Sequence, residues 1–155
     1  MAGSHPGNKR THNEDATFFD EEIGLAVIAD GMGGHTGGEV ASHIVVDTFI
    51  RTYVSGADLV GIALEAHKSI IERSQSQSEL RGMGSTLVVA HAGPRSFQIA
   101  WVGDSRAYHW RPDHGIRQIT RDHSLVEQLF YAARVPLIYW MVRRPLAVVR
   151  QYLGV

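Results

Sequence analysis

The residues best suited to chemistry in this chain of 155 gather in two stretches, R-T-H-N-E-D at 10–15 and A-D-G-M-G-G at 29–34. Asp30 follows the apolar run Ile23–Ala29, which reads as a short strand buried on both faces, so its carboxylate should be held at a strand tip. Gly31, Gly33 and Gly34 open backbone angles closed to other residues and let main-chain carbonyls come close to an ion or a phosphate. An acid followed by such a loop suits a hard cation with oxygen ligands. A glycine-rich turn from strand to helix, with Asp30 as a cap or turn former, accounts for the same letters, and this stretch alone does not separate the two.

The neighbouring elements bring further charge to the same place. Ala16–Phe19 is a candidate strand that would pair with Ile23–Ala29 across the turn Asp20-Glu21-Glu22, putting Asp15 and Asp30 at one end of a sheet. Arg10 and Glu14 then approach them. Acids crowded beside an arginine are costly unless a positive group neutralises the acids and a negative one occupies the arginine; metal and phosphate meet both needs. Glu14 taken singly reads rather as part of a solvated charged loop.

From Gly38 the apolar period becomes helical, with Val40, Ala41, Ile44, Val45, Thr48, Phe49 and Tyr53 on one face. A second helix is expected from about Ala57 to Gln75, with Leu59, Ile62, Ala63, Ala66 and Ile70 inward. His43 and His67 fall on the solvent side. Leu87–Ala92 and Ser96–Val102 are strands joined by a short Gly-Pro turn and therefore antiparallel. Gly103-Asp104-Ser105-Arg106 repeats the strand-then-acid arrangement, although Gly-Asp-Ser is also an ordinary tight turn. Strands over Ala107–Trp110 and Gly115–Ile119 follow, and Ser124 with Glu127 forms a capping box that starts another helix. Strands in series with grouped helices predict an α+β fold with antiparallel sheets.

Length and composition bound the function. One domain of ordinary size is expected over 1–155, with 44% hydrophobic residues to build its core. A formal charge of −1 argues against nucleic acid as a partner. With no cysteine, disulfides, thiolate metal sites and a cysteine nucleophile are excluded. The N-terminal residues lack the apolar core of a signal peptide, and a cytoplasmic location is expected. Residues 1–9 read as a loose arm. Between His123 and Val155 four arginines accompany a single acid, Glu127, and residues 129–142 are almost wholly apolar, too short and interrupted to span a bilayer.

In order, the motifs R-T-H-N-E-D, A-D-G-M-G-G, G-M-G-S-T-L, V-G-D-S-R-A-Y and T-R-D-H-S-L-V resemble the PPM-type, metal-dependent (type 2C) family of protein serine/threonine phosphatases in its bacterial form. The resemblance runs from about residue 9 to residue 129 and leaves 130–155 as a divergent apolar and basic tail. It implies a layered α-β-β-α sandwich of antiparallel sheets flanked by helices. It implies that Asp30 bridges two Mn²⁺ or Mg²⁺ ions, with the Gly31 carbonyl and Glu14 completing one site, and that Asp104 serves a third, weaker one. Asp15 would orient the attacking water, and Arg10 would grip the substrate phosphate with its planar guanidinium. The implied partners are a phosphorylated protein and the serine/threonine kinase that opposes the enzyme.

Two departures qualify these expectations. Met32 stands where some family members carry a histidine that can serve as the acid for the leaving oxygen. The family's two further metal-binding aspartates, in a D-G-x-x-D motif and a late D-N pair, have no counterpart, since no aspartate follows Asp122. The chain is therefore expected to be C-terminally incomplete and weak or inactive as it stands. A pseudophosphatase that binds phosphoproteins or a kinase without turnover is the competing expectation; a carboxylate–metal hydrolase of other specificity is a more distant one.

Overall fold

The computed structural model describes residues 3–5, 12–33, 36–94, 96–123 and 144–145. The hairpin comes first. β1 (Asp15–Asp20) and β2 (Leu25–Met32) are antiparallel, in a register that sets Asp15 opposite Asp30 and Asp20 opposite Leu25. Asp20 makes the turn: its Oδ1 accepts from the N–H groups of Glu22 and Ile23, at 2.9 and 3.2 Å. Gly24 then takes a positive φ of 64°, a conformation open to glycine.

This corrects the expected strand in two ways. Ile23 is used in the turn, so the strand begins at Leu25. At the other end it runs past Asp30, because Gly31 and Met32 pair with Ser85 and Gly84 of the two-residue strand β3 (Gly84–Ser85). Asp30 thus lies inside the strand, two residues from its tip. Nor is the strand buried on both faces: Leu25, Val27 and Ala29 are fully buried while Ile28 is 48% exposed, the alternation of a sheet with one well-covered face.

That face carries the two helices, α1 (Gly37–Thr52) and α2 (Leu59–Ser76), connected by a short loop and joined across their surfaces by an Arg51–Glu65 ion pair. Ala41, Val45, Val46 and Phe49 of α1 and Leu59, Ile62, Ala66 and Ile70 of α2 close one core with Leu25, Val27, Leu87 and Val89. The helical period seen in the sequence is the face that is buried, and His43 and His67 are exposed as expected. Asp58 caps α2 by accepting from the Val60 N–H at 3.1 Å.

β4 (Leu87–Ala92) and β5 (Ser96–Val102) extend the sheet, and Arg144–Pro145 (β8) pairs on the far side of β5, giving the order β1-β2-β4-β5-β8 with β3 attached to β2. On the face away from the helices, Val88, Ile99 and Trp101 form a smaller core that Ala107 and Ile119 pack against. β6 (Tyr108–Arg111) and β7 (Gly115–Gln118) make a separate antiparallel hairpin. The arrangement is α+β, with antiparallel sheets throughout. The helix expected from Ser124 and the apolar run 129–142 lie outside the described residues.

Candidate metal centre

β1, β2 and the loop after β2 meet at one end of the sheet, and the acids meet there too. Asp15 and Asp30 are directly opposed across the hairpin. The Gly31 N–H donates to the main-chain carbonyl of Glu14 at 3.0 Å, which ties the residue before β1 to the residue after Asp30. Gly31 itself is buried, and a Cβ added to it would meet the Gly38 carbonyl oxygen at 1.9 Å and the Glu14 carbonyl oxygen at 2.8 Å. A Cβ added to Gly38 would meet Oε1 of Glu14 at 2.8 Å. Both glycines are required by close approach: Gly31 of β2 packs on the main-chain carbonyls of Gly38 and Glu14, and Gly38 at the start of α1 packs on the Glu14 carboxylate.

The half-buried Asp15 is held from the N-terminal side. Ser4 donates to its Oδ2 at 3.1 Å, Asn13 Nδ2 donates to Ser4 Oγ at 2.8 Å, and the Asp15 N–H donates to Asn13 Oδ1 at 3.2 Å. The expected loose arm is therefore tied at Ser4. Arg10 lies outside the described residues.

Asp104 occupies the turn after β5, and this turn is built with care. Gly103 has a φ of 97°, its N–H donates to Nδ1 of His123 at 3.2 Å, and its carbonyl accepts from the His123 N–H at 2.9 Å. The acceptor role assigns the neutral His123 proton to Nε2. The His123 ring stacks on Trp101, whose Nε1 donates to the Arg121 carbonyl at 2.8 Å. Arg106 grips Asp122 through both carboxylate oxygens, and this hydrogen-bonded pairing holds the Asp122 carboxyl below the ordinary carboxylate range. Sequence reasoning passed over Ser4, Asn13, Ser85, Thr86, Ser105 and His123, although all but Ser4 fall within the motifs it singled out.

Glu14, Asp30 and the Gly31 carbonyl, near one another along the same end of the hairpin, offer only oxygen atoms, the donor type that a hard divalent cation takes. The fit extends to one ion. Among the described residues no group of three or more histidines, aspartates and glutamates converges as a metal site, in keeping with the lack of aspartate after Asp122.

The fold and site together define the class: an antiparallel α+β domain in which acids of a β-hairpin lie beside closely packed glycines. The particular family follows from comparison with known proteins. The family model described as protein phosphatase 2C matches residues 2–132, and this chain belongs to that family. Serine/threonine phosphatase stp of Listeria monocytogenes is 36% identical over 142 residues, covering 83% of this chain and 56% of that protein. Serine/threonine protein phosphatase PstP of Mycobacterium tuberculosis is 34% identical over 140 residues, covering 86% of this chain and 27% of that one. The crystal structure of the PstP catalytic domain in complex with two manganese ions superposes with a TM-score of 0.75 at 29% identity, over 92% of this chain and 70% of that one. The chain thus spans about half the length of the Listeria relative it matches.

Proposed function

We propose that these residues carry the metal- and phosphate-facing part of a protein serine/threonine phosphatase, and that this chain by itself turns over weakly or not at all. The observation that supports the reading most directly is the opposition of Asp15 and Asp30 beside Glu14 and Gly31. When bound, a pair of Mn²⁺ or Mg²⁺ ions acidifies a water and offsets charge on the phosphoryl oxygens. Glu14, Asp30 and the Gly31 carbonyl would hold the first ion, and Asp104 a further, weaker one. Asp15, fixed by Ser4 and Asn13, orients the water and accepts its proton. Arg10 binds two phosphate oxygens and aligns the ester. The water oxygen bonds to phosphorus, the ester P–O bond breaks, and the serine or threonine oxygen leaves with a proton from solvent, Met32 having none to give.

The substrate class is a phosphorylated protein, the opposing partner a serine/threonine kinase, and the location cytoplasmic; among the described residues no helix is long and apolar enough to cross a membrane. The second reading, a phosphoprotein-binding pseudophosphatase, is favoured by the donor set for one ion where the reaction uses two. Turnover separates them. A phosphothreonine peptide and p-nitrophenyl phosphate are assayed at saturating Mn²⁺ with Asp30→Asn as the blank. Rates at the blank, with phosphopeptide still bound, establish the binding module; rates well above it show that another group completes the second site.

A further inference from the structure

The antiparallel ladder that β2 makes with β3 and β4 is irregular at Asp30. The register that pairs Ile28 with Val88 and Gly31 with Ser85 also sets Asp30 opposite Thr86. Partners at such a position ordinarily exchange two main-chain hydrogen bonds. One is made: the Thr86 N–H donates to the Asp30 carbonyl at 2.8 Å. For the other, the Asp30 N–H goes to the Thr86 side chain, donating to Oγ1 at 3.0 Å. The Thr86 carbonyl accepts instead from Ser85 Oγ at 2.8 Å, and the same Ser85 hydroxyl also approaches the Asp30 carbonyl at 3.2 Å.

A side chain in place of a ladder carbonyl gives the rung a second connection. Thr86 Oγ1 lies 2.6 Å from Ser105 Oγ, and Ser105 follows Asp104 in the turn. The methyl of Thr86 meets the same turn from below: a Cβ on Gly103 would stand 2.7 Å from Thr86 Cγ2. Thr86 therefore touches the main chain of one candidate metal acid and both neighbours of the other. A hydroxyl has one proton and two acceptor positions, so Oγ1 can serve Asp30 and Ser105 together; a ladder carbonyl would lack the proton.

We propose that Thr86 is a positioning residue that brackets the Asp30 main chain to the Gly103–Ser105 turn, holding Asp30 and Asp104 in one frame. The consequence for metal binding rests on the reading of Asp30 as a ligand given above; the bracket itself does not. Small displacements of a ligand-bearing backbone weaken an ion that prefers defined geometry, which is why the groups behind the ligands matter.

The test uses the 155-residue chain and two substitutions that divide the side chain. Thr86→Val keeps the methyl and removes the hydroxyl; Thr86→Ser keeps the hydroxyl. Amide hydrogen exchange is followed at Asp30, with Ala66 of α2 as the reference for global opening, and Mn²⁺ affinity is measured by calorimetry. Thr86→Val is expected to speed Asp30 exchange and weaken Mn²⁺ by about fivefold or more, the size one lost hydrogen bond carries, with Ala66 unchanged. Thr86→Ser should stay within about twofold of the native chain on the same basis. Ser105→Ala should speed Asp30 exchange without touching it. Native exchange at Asp30 in Thr86→Val overturns the proposal. So does acceleration at Ala66 to the same extent, which would make Thr86 merely part of the core. If the native chain binds no Mn²⁺ but Asp30 exchange still follows Thr86 and Ser105, the bracket stands and the metal reading falls.

Discussion

Gly38 lies directly on the Glu14 carboxylate, so that any side chain at 38 would begin 2.8 Å from Glu14 Oε1 and 2.9 Å from the carbonyl carbon of Gly31. Contacts so short require something to move. Two effects of Gly38→Ala oppose each other. Alanine in the first turn of α1 would ordinarily gain about 0.5–1 kcal/mol over glycine, whereas forcing a methyl into packed surroundings costs about 1–3 kcal/mol. The clash is with backbone as well as with a carboxylate, so the cost should win. The expected outcome is a lower melting temperature and weaker Mn²⁺ binding; a raised melting temperature would mean that Glu14 swings aside freely and is not held as a ligand.

Asp30→Asn leaves shape and backbone in place and removes the charge. In the proposed centre it takes away the charged ligand of the first ion, so the calorimetric signal for Mn²⁺ should vanish while the melting temperature of the metal-free chain changes little. Unaltered affinity would exclude Asp30 as the chief ligand.

Arg10→Lys tests phosphate recognition separately from the metal. The charge remains and the two-pronged geometry is lost. Affinity for a phosphothreonine peptide should fall with Mn²⁺ binding intact. A joint collapse of both would make Arg10 a structural tie for the acidic loop.

Acid should dissolve the Arg106–Asp122 pair. Its hydrogen bonds hold the Asp122 carboxyl below its ordinary value, which in an unfolded chain is about 3.9. Between the two values the unfolded state binds the proton and the folded state does not, so the pair's stabilisation is complete above the unfolded value and is lost as pH falls through the folded one. Melting curves of the native chain and Asp122→Asn should differ by a small, constant amount from pH 7 to about 5 and converge at the acid end. A gap that persists below pH 2 would assign the effect to shape and not to charge.

Phe49 anchors the helical layer and is fully buried against β2 and its neighbours. Phe49→Ala should cost about 3–5 kcal/mol, a large share of the roughly 5–15 kcal/mol of a domain. Loss of the cooperative unfolding transition, or a large drop in its midpoint, is the expected result; a change of under about 1 kcal/mol would mean that α1 is not part of the core.

The sequence by itself determined the local structure and the kind of chemistry. The helical faces, the hairpin of β1 and β2, the strands Leu87–Ala92 and Ser96–Val102, and the run of acid and glycine motifs were legible because each depends on residues close along the chain: a period of two or 3.6, a turn residue, a cap. Tertiary structure decided what lies between distant segments. Asp30 sits within its strand and not at the tip because Gly31 and Met32 find partners at Ser85 and Gly84, more than fifty residues on. Ser4 leaves the arm to hold Asp15, and His123 closes the Asp104 turn through an acceptor nitrogen. Thr86 shows the reason most plainly. In the sequence it is a β-branched residue ahead of a strand, and its hydroxyl gains a role only when the register places Asp30 on one side of it and Ser105 on the other. Hydrogen bonds are short and directional, so which groups share one depends on the folded path of the chain, and no local pattern carries that information.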